Sequence, residues 1–268
     1  MGKAVLMKAG FAGVILSFFL TTGILFAVDP VFDPVSCEGD YAHHLQGVCT
    51  DRKGAIYWSF TTELVKTGSD GKVLVRIPVE NHHGDLCFDG GKVYVAVNLG
   101  RFNDPEGRAD SWIYVYRADT LAFLEKHPVP EVFHGAGGMD LREGHFFVVG
   151  GLPEGVEENC VYEYDGGFRL VKRHEIASGW TKMGIQTAAW HDGAWWFGCY
   201  GSPQVLLKTD EAFQLLGRYE FDASLGILGD GPGRFLVAKG PRTPEGRHRG
   251  LLEIARPDAN RGLVRTGE

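Results

Sequence analysis

A segment of about 45 residues recurs along this chain, and each copy holds several short apolar strands separated by polar turns. Three copies of the first turn and its following strand read Asp89-Gly90-Gly91-Lys92-Val93-Tyr94-Val95, Arg142-Glu143-Gly144-His145-Phe146-Phe147-Val148 and His191-Asp192-Gly193-Ala194-Trp195-Trp196-Phe197. Strands that repeat at this period, with no helical pattern between them, are typical of β-propeller blades. The sequence therefore predicts an all-β fold, a five-bladed β-propeller in a single domain.

The five predicted blades run from about residue 43 to 79, 85 to 130, 138 to 176, 186 to 221, and 227 to the end of the sequence. The fifth lacks an obvious full set of strands, since its final segment, 261–265, is short. A closed ring leaves no exposed sheet edge, so we expect residues 31–36 to help complete that blade.

Composition excludes some partners. The 268 residues are 44% hydrophobic, which is enough for a large core, and the formal net charge is −7. A chain of that sign has no general attraction to nucleic-acid phosphates or to anionic lipid, so we expect neither nucleic acid nor a lipid surface as a general partner. A monomer is the expected state.

The N-terminal segment has the pattern of an export signal. Lys3 and Lys8 precede an apolar run over 9–28, after which the sequence becomes polar. We predict a signal peptide over 1–27 and the propeller domain over 28–268, although Leu25 departs from the small residue preferred before a cleavage site. Because about 20 apolar residues also span a bilayer, an uncleaved membrane anchor is the alternative. Both interpretations predict a periplasmic or extracellular domain.

The five cysteines are expected to be buried core thiols, because most lie in or beside strand patterns and none forms a CxxC pair. Cys37 with Cys49 is the one pairing worth testing.

Histidines and other polar residues stand just before or at the start of the predicted inner strands. Inner strands surround the axis of a propeller, so residues far apart in sequence converge at one channel mouth. The sequence thus predicts a mouth that binds a small polar molecule or a sugar, with Trp180, Phe133 and Tyr41 as flanking aromatic residues. The candidate ligand-binding residues are His44, Gln46, His82, His83, Asp85, His134 and Gln186.

Imidazoles beside a carboxylate suit either a divalent metal or acid–base chemistry near neutral pH. The candidate metal ligands are His44, His82, His134 and Asp85, for zinc or calcium. Polar residues also line the solvated channel of propellers without any such site. Which histidine of the 82–83 pair faces the axis stays open, since neighbours on a strand point to opposite sides.

The tripeptide Pro-Glu-Gly occurs three times, at 105–107, 153–155 and 244–246, each time in a long loop between the second and third strands of a predicted blade. We expect these loops to share the face of the disc that carries the mouth.

The strand starts Gln46-Gly47-Val48, Gly84-Asp85-Leu86 and Gly137-Gly138-Met139 resemble those of five-bladed propellers of the glutaminyl cyclotransferase type. In that family the substrate pocket lies at this end of the channel. Asp85 and Gly138 stand where the family carries glutamates, so the resemblance implies architecture and carries over no catalytic role. The histidines are similar in kind to those of metal-dependent lactonase propellers.

Three functions follow as hypotheses. The first is binding of a small polar ligand at the mouth, and the second is a metal-dependent hydrolase or lactonase at the same residues. The third is an interaction scaffold for a protein or polysaccharide, using the Pro-Glu-Gly loops. The sequence leaves open whether the protein is an enzyme.

Overall fold

The computed structural model describes residues 1–2 and 32–267, and over these it is an all-β, five-bladed propeller. The predicted signal or anchor over 1–27 lies outside the described residues except for its first two. Within the described ranges, no helix has the length and apolar character needed to cross a membrane.

Each of the first four blades is a four-stranded antiparallel sheet whose strands follow chain order. β1 is Val35–Ser36. Blade 1 comprises β2 (Gly47–Thr50), β3 (Ile56–Phe60), β4 (Glu63–Thr67) and β5 (Val73–Pro78). Blade 2 comprises β6 (His83–Asp89), β7 (Lys92–Asn98), β8 (Ser111–Arg117) and β9 (Phe123–Pro128). Blade 3 comprises β10 (Ala136–Arg142), β11 (His145–Gly150), β12 (Asn159–Tyr164) and β13 (Leu170–Ile176). Blade 4 comprises β14 (Lys182–His191), β15 (Ala194–Tyr200), β16 (Val205–Thr209) and β17 (Leu215–Glu220).

Blade 5 comprises β18 (Ile227–Gly229), β19 (Phe235–Lys239), β20 (Leu251–Asp258) and β21 (Gly262–Arg265), and it is closed by the N-terminal strand. Both β1 and β21 pair with β20, at different positions along it. Just before β1, Phe32 donates its amide to Asp230 at 3.2 Å, and its carbonyl accepts from Arg234, which also pairs with Asp230. Closure of the last blade by residues of this segment is therefore confirmed.

The core consists of five apolar clusters, one between each pair of neighbouring blades. Trp58 of blade 1, for example, is buried in the cluster that also contains Leu236 of blade 5. In the described residues all five cysteines are free thiols, and four of them are buried.

Glycines allow the inner strands to approach one another around the axis. A Cβ on Gly47 would lie 2.4 Å from Cα of Asp85, one on Gly84 would lie 2.3 Å from the carbonyl oxygen of Gly137, and one on Gly138 would lie 2.4 Å from the carbonyl oxygen of Gln186. Real side chains do not tolerate such contacts with backbone atoms. The glycines at the strand starts are therefore required by the close packing of the ring.

Candidate functional site

Gln46 connects two histidines at the mouth. Its side-chain amide nitrogen lies 2.7 Å from Nε2 of His44 and 2.8 Å from Nε2 of His82, and it is 3.3 Å from the hydroxyl of Thr61. The two histidines lie on the connections that lead into blades 1 and 2. An amide nitrogen only donates, so both ring nitrogens act as acceptors and both imidazoles are neutral.

A third histidine joins this group from the loop between β19 and β20. The rings of His248 and His44 lie 5.9 Å apart, and a backbone bridge pairs His248 with Tyr41. His248 is buried, and its Nδ1 has no hydrogen-bond partner among the described residues. Sequence reasoning missed His248 and Thr61. The one available signal was that His248 follows the third Pro-Glu-Gly loop, on the face predicted for the mouth.

The surroundings keep these imidazoles neutral. Burial, with smaller contributions from His82, His248, His43 and Arg242, lowers the pKa of His44 to about 4. Burial also lowers the pKa of His82 and of His248. Near neutral pH the mouth therefore presents hydrogen-bonding groups without charge on these rings. We call His44, Gln46, Thr61, His82 and His248 the mouth cluster.

Of the 82–83 pair, His82 is the member that reaches this cluster. His83 is fully buried on the other side of the strand, where its Nδ1 donates to the carbonyl oxygen of Glu80 at 2.7 Å. Its Nε2 accepts from the hydroxyl of Tyr116 at 2.8 Å. Both ring nitrogens are thus used within the protein.

His134 and Gln186 have other partners. His134 donates from Nδ1 to the carbonyl oxygen of Asp104 at 3.0 Å, which fixes it against the first Pro-Glu-Gly loop. Gln186 donates from its side chain to the carbonyl oxygen of Met183 at 2.7 Å. Within the part of the chain that the structure covers, neither is hydrogen-bonded to the histidines of the mouth cluster.

Asp85 lies at the axis of the ring, where its side chain is sealed from solvent. It is 1% exposed, and glycines 47 and 138 lie directly against it. One carboxyl oxygen, Oδ2, accepts from the amide of Ala188 in blade 4 at 3.2 Å. The other, Oδ1, has no hydrogen-bond partner in the residues described. Burial raises the pKa of Asp85 well above its ordinary value, so the neutral carboxylic acid is favoured.

The residues predicted as metal ligands are not gathered into one coordination group. Among residues 1–2 and 32–267, no three His, Cys, Asp or Glu side chains are arranged to hold a metal ion. His44 and His82 do come together, but the amide nitrogen of Gln46 occupies the position between their Nε2 atoms where a cation would bind.

Cavities also lie elsewhere on the described surface. One of about 600 Å³ lies between the outer parts of blades 1 and 2, lined by Tyr114, Tyr116 and Phe123. A small one of about 90 Å³ lies at the channel and is lined by Cys49, Cys87 and Asp140. A third, of about 430 Å³, lies beside blade 4 and includes Trp180.

No protein-family model and no curated protein sequence matches the chain. Among solved structures it is similar to RS223-β-xylosidase, with a TM-score of 0.59 and 11% identity over 84% of this chain and 95% of that one. It is also similar to a protein of unknown function from Bacteroides caccae, with a TM-score of 0.46 and 15% identity over 85% of this chain and 78% of that one. At these identities the likeness to the xylosidase shows the propeller fold alone.

Proposed function

We propose that this propeller binds a small polar ligand at the mouth cluster. The observation that carries the proposal is the bridge from Gln46 to both His44 and His82, because it orients three polar side chains from two blades at one point. Binding sites of this kind depend on a few polar groups held in place by their neighbours.

The bridge leaves specific atoms for a ligand. With Nε2 accepting from Gln46, the proton of neutral His44 is on Nδ1, and that nitrogen has no partner among the described residues. The side-chain oxygen of Gln46 likewise accepts no hydrogen bond from them. One donor and one acceptor suit a ligand that carries hydroxyl or carbonyl groups.

We confine the function to binding. Asp85, the carboxyl group considered as a base or metal ligand, is sealed beneath the glycines of the inner strands and is out of reach of a ligand at the mouth. Most exposed large apolar side chains lie on the outer strands, such as Leu74 and Leu216, while Phe133 is exposed beside Gly107 of the first Pro-Glu-Gly loop. The hydrolase and scaffold hypotheses therefore gain no specific support.

Isothermal titration calorimetry on the full-length protein tests the proposal, with glucose, xylose, glycerol, serine, citrate and glucuronate as probes. We expect at least one probe to bind, and Gln46→Leu to weaken it roughly tenfold, because the variant loses an acceptor and the orientation of two imidazoles. His145→Gln is the matched control, since His145 pairs with Glu163 outside the mouth cluster. Binding of no probe, or equal binding by Gln46→Leu, would contradict the proposal.

A further inference from the structure

The cavity of about 430 Å³ beside blade 4 is separate from the mouth cluster and shares no residue with it. Its volume falls within the range of about 300–1,000 Å³ that is usual for small-molecule sites. We call it the blade-4 pocket. The lining residues used below are Trp180, Lys182, Tyr200, Ser202, Arg218 and Glu220.

Trp180 is an exposed tryptophan whose backbone is fixed on both sides. Its amide donates to the side chain of Glu157 at 3.1 Å, and its carbonyl oxygen accepts from the guanidinium of Arg218, also at 3.1 Å. The same guanidinium donates to the carbonyl oxygen of Ser178 at 2.7 Å. Trp180 remains 36% exposed, whereas Trp58 and Trp195 are fully buried. Trp180 thus lines a cavity at the surface rather than packing in the core.

The polar groups of the pocket include both donors and acceptors. In the described residues, the side chains of Lys182, Ser202 and Glu220 and the hydroxyl of Tyr200 make no hydrogen bond. Burial raises the pKa of Tyr200 to about 12, so its hydroxyl stays protonated and remains a donor. Lys182 only donates, while Glu220 only accepts.

This mixture excludes some ligand classes. Two cations, Lys182 and Arg218, stand against two carboxylates, Glu220 in the lining and Glu157 at the amide of Trp180, so the pocket has no net attraction to an anion or to a cation. Lys182 and Glu220 are the cation and the carboxylate that make no hydrogen bond in the described residues. A ligand that satisfies both must itself donate and accept, as hydroxyl groups do, and it must also present an apolar face to the indole. A sugar ring has both properties, since its hydroxyl groups lie around the rim and its C–H groups form a face.

We propose that the blade-4 pocket is a carbohydrate-binding site in which a pyranose ring stacks on Trp180 while its hydroxyl groups contact Lys182, Tyr200 and Glu220. The site does not depend on the function proposed for the mouth. It gives the protein a binding place for a saccharide on blade 4, separate from the mouth cluster.

The test uses the full-length protein and five disaccharides as probes: cellobiose, xylobiose, maltose, chitobiose and lactose. Saturation-transfer NMR detects binding, and titration of tryptophan fluorescence gives the affinity. We expect at least one probe to bind and Trp180→Ala to weaken it about tenfold, the loss expected for one stacked aromatic ring. Lys182→Met, a change at an exposed side chain that does not threaten the fold, is expected to weaken binding as well.

Two controls locate the effect. Phe123→Ala removes a comparably exposed aromatic side chain on blade 2 and should leave binding unchanged. In a Gln46→Leu background, which weakens any saccharide bound at the mouth, the loss caused by Trp180→Ala should persist, which separates this site from the mouth. Failure of all five disaccharides to bind would overturn the proposal. So would binding that survives both Trp180→Ala and Lys182→Met, or a Trp180→Ala loss that disappears in the Gln46→Leu background.

Discussion

Replacing Asp85 with asparagine tests the state of the carboxyl group at the propeller axis. Asparagine has nearly the same shape, retains an oxygen that accepts from the amide of Ala188, and cannot ionise. The wild-type side chain is sealed from solvent and has one unpartnered oxygen, so burial raises its pKa. We therefore expect the folded protein to hold a proton on Asp85 that the unfolded chain releases.

The direction of the pH dependence of stability follows from proton linkage. Between the unfolded pKa, 3.8, and the raised folded value, the native state binds one more proton than the unfolded state, so wild-type stability falls as pH rises. The slope for one proton is about 1.4 kcal/mol per pH unit. Asp85→Asn removes this contribution. The stability of the variant relative to wild type should therefore increase by about that amount per pH unit until the folded pKa is reached.

Urea denaturation of both proteins at several pH values between about 5 and 8 measures this difference. Asp140→Asn is the matched control, because Asp140 also lies on an inner strand and accepts from the amide of Trp190 at 2.7 Å. Burial raises the pKa of Asp140 only to about 6, so its relative gain should stop near that pH. A stability difference for Asp85→Asn that is constant, or that shrinks as pH rises, would show an ionised carboxylate and refute the reasoning.

Three further changes have defined outcomes. Gly138→Ala places a Cβ 2.4 Å from the carbonyl oxygen of Gln186 and should lower the free energy of unfolding by about 1–3 kcal/mol, measured by urea denaturation. Gly166→Ala, whose Cβ would have ordinary contacts, should be tolerated. Equal effects of the two substitutions would argue against close packing at the axis. His83 is buried and neutral, with its pKa lowered to about 4, so the free energy of unfolding of the wild type should fall by up to about 3 kcal/mol as pH falls from 6.5 to 4. His83→Gln should lack that part of the loss. Parallel plots of unfolding free energy against pH for the two proteins would contradict this. Asp230→Ala removes the carboxylate partner of the buried Arg234 and should lower the free energy of unfolding by about 3–5 kcal/mol, which thermal denaturation detects as a lower midpoint. A loss of less than about 1 kcal/mol would show that this ion pair does not hold the N-terminal strand.

The blades could be predicted from sequence because their signals are local. Alternating apolar strands and Asp-Gly turns determine each meander, and the need to close the ring identified the N-terminal strand as the partner of the last blade. The same logic brought His44 and His82 to one place. They lie on the connections into neighbouring inner strands, and those strands converge.

What the sequence did not reveal depends on contacts between distant loops. His248 reaches the mouth through a backbone bridge to Tyr41, and no local pattern indicates that pairing. Tyr41 itself was expected to flank the mouth, but it is fully buried and stacks on Phe60. His83 turns away because side chains alternate along a strand, and the sequence alone does not give the phase of that alternation.

The sequence also did not reveal how deeply Asp85 is buried, since its burial depends on how closely the glycines let the inner strands approach one another. A position at the start of an inner strand is consistent with either a solvated mouth or a sealed axis. Only the backbone approach of Gly47 and Gly138 to Asp85 distinguishes the two.

The most direct test of ligand binding at the mouth is nitrogen-detected NMR of the histidine side chains while the mouth probes are added. A ligand held by His44 and His82 must shift the ring-nitrogen resonances of these two residues, with His145 unmoved as the internal reference. We predict saturable shifts confined to the mouth cluster for at least one probe. Resonances of His44 and His82 that stay constant with every probe, or that move no more than that of His145, would contradict a binding site at the mouth.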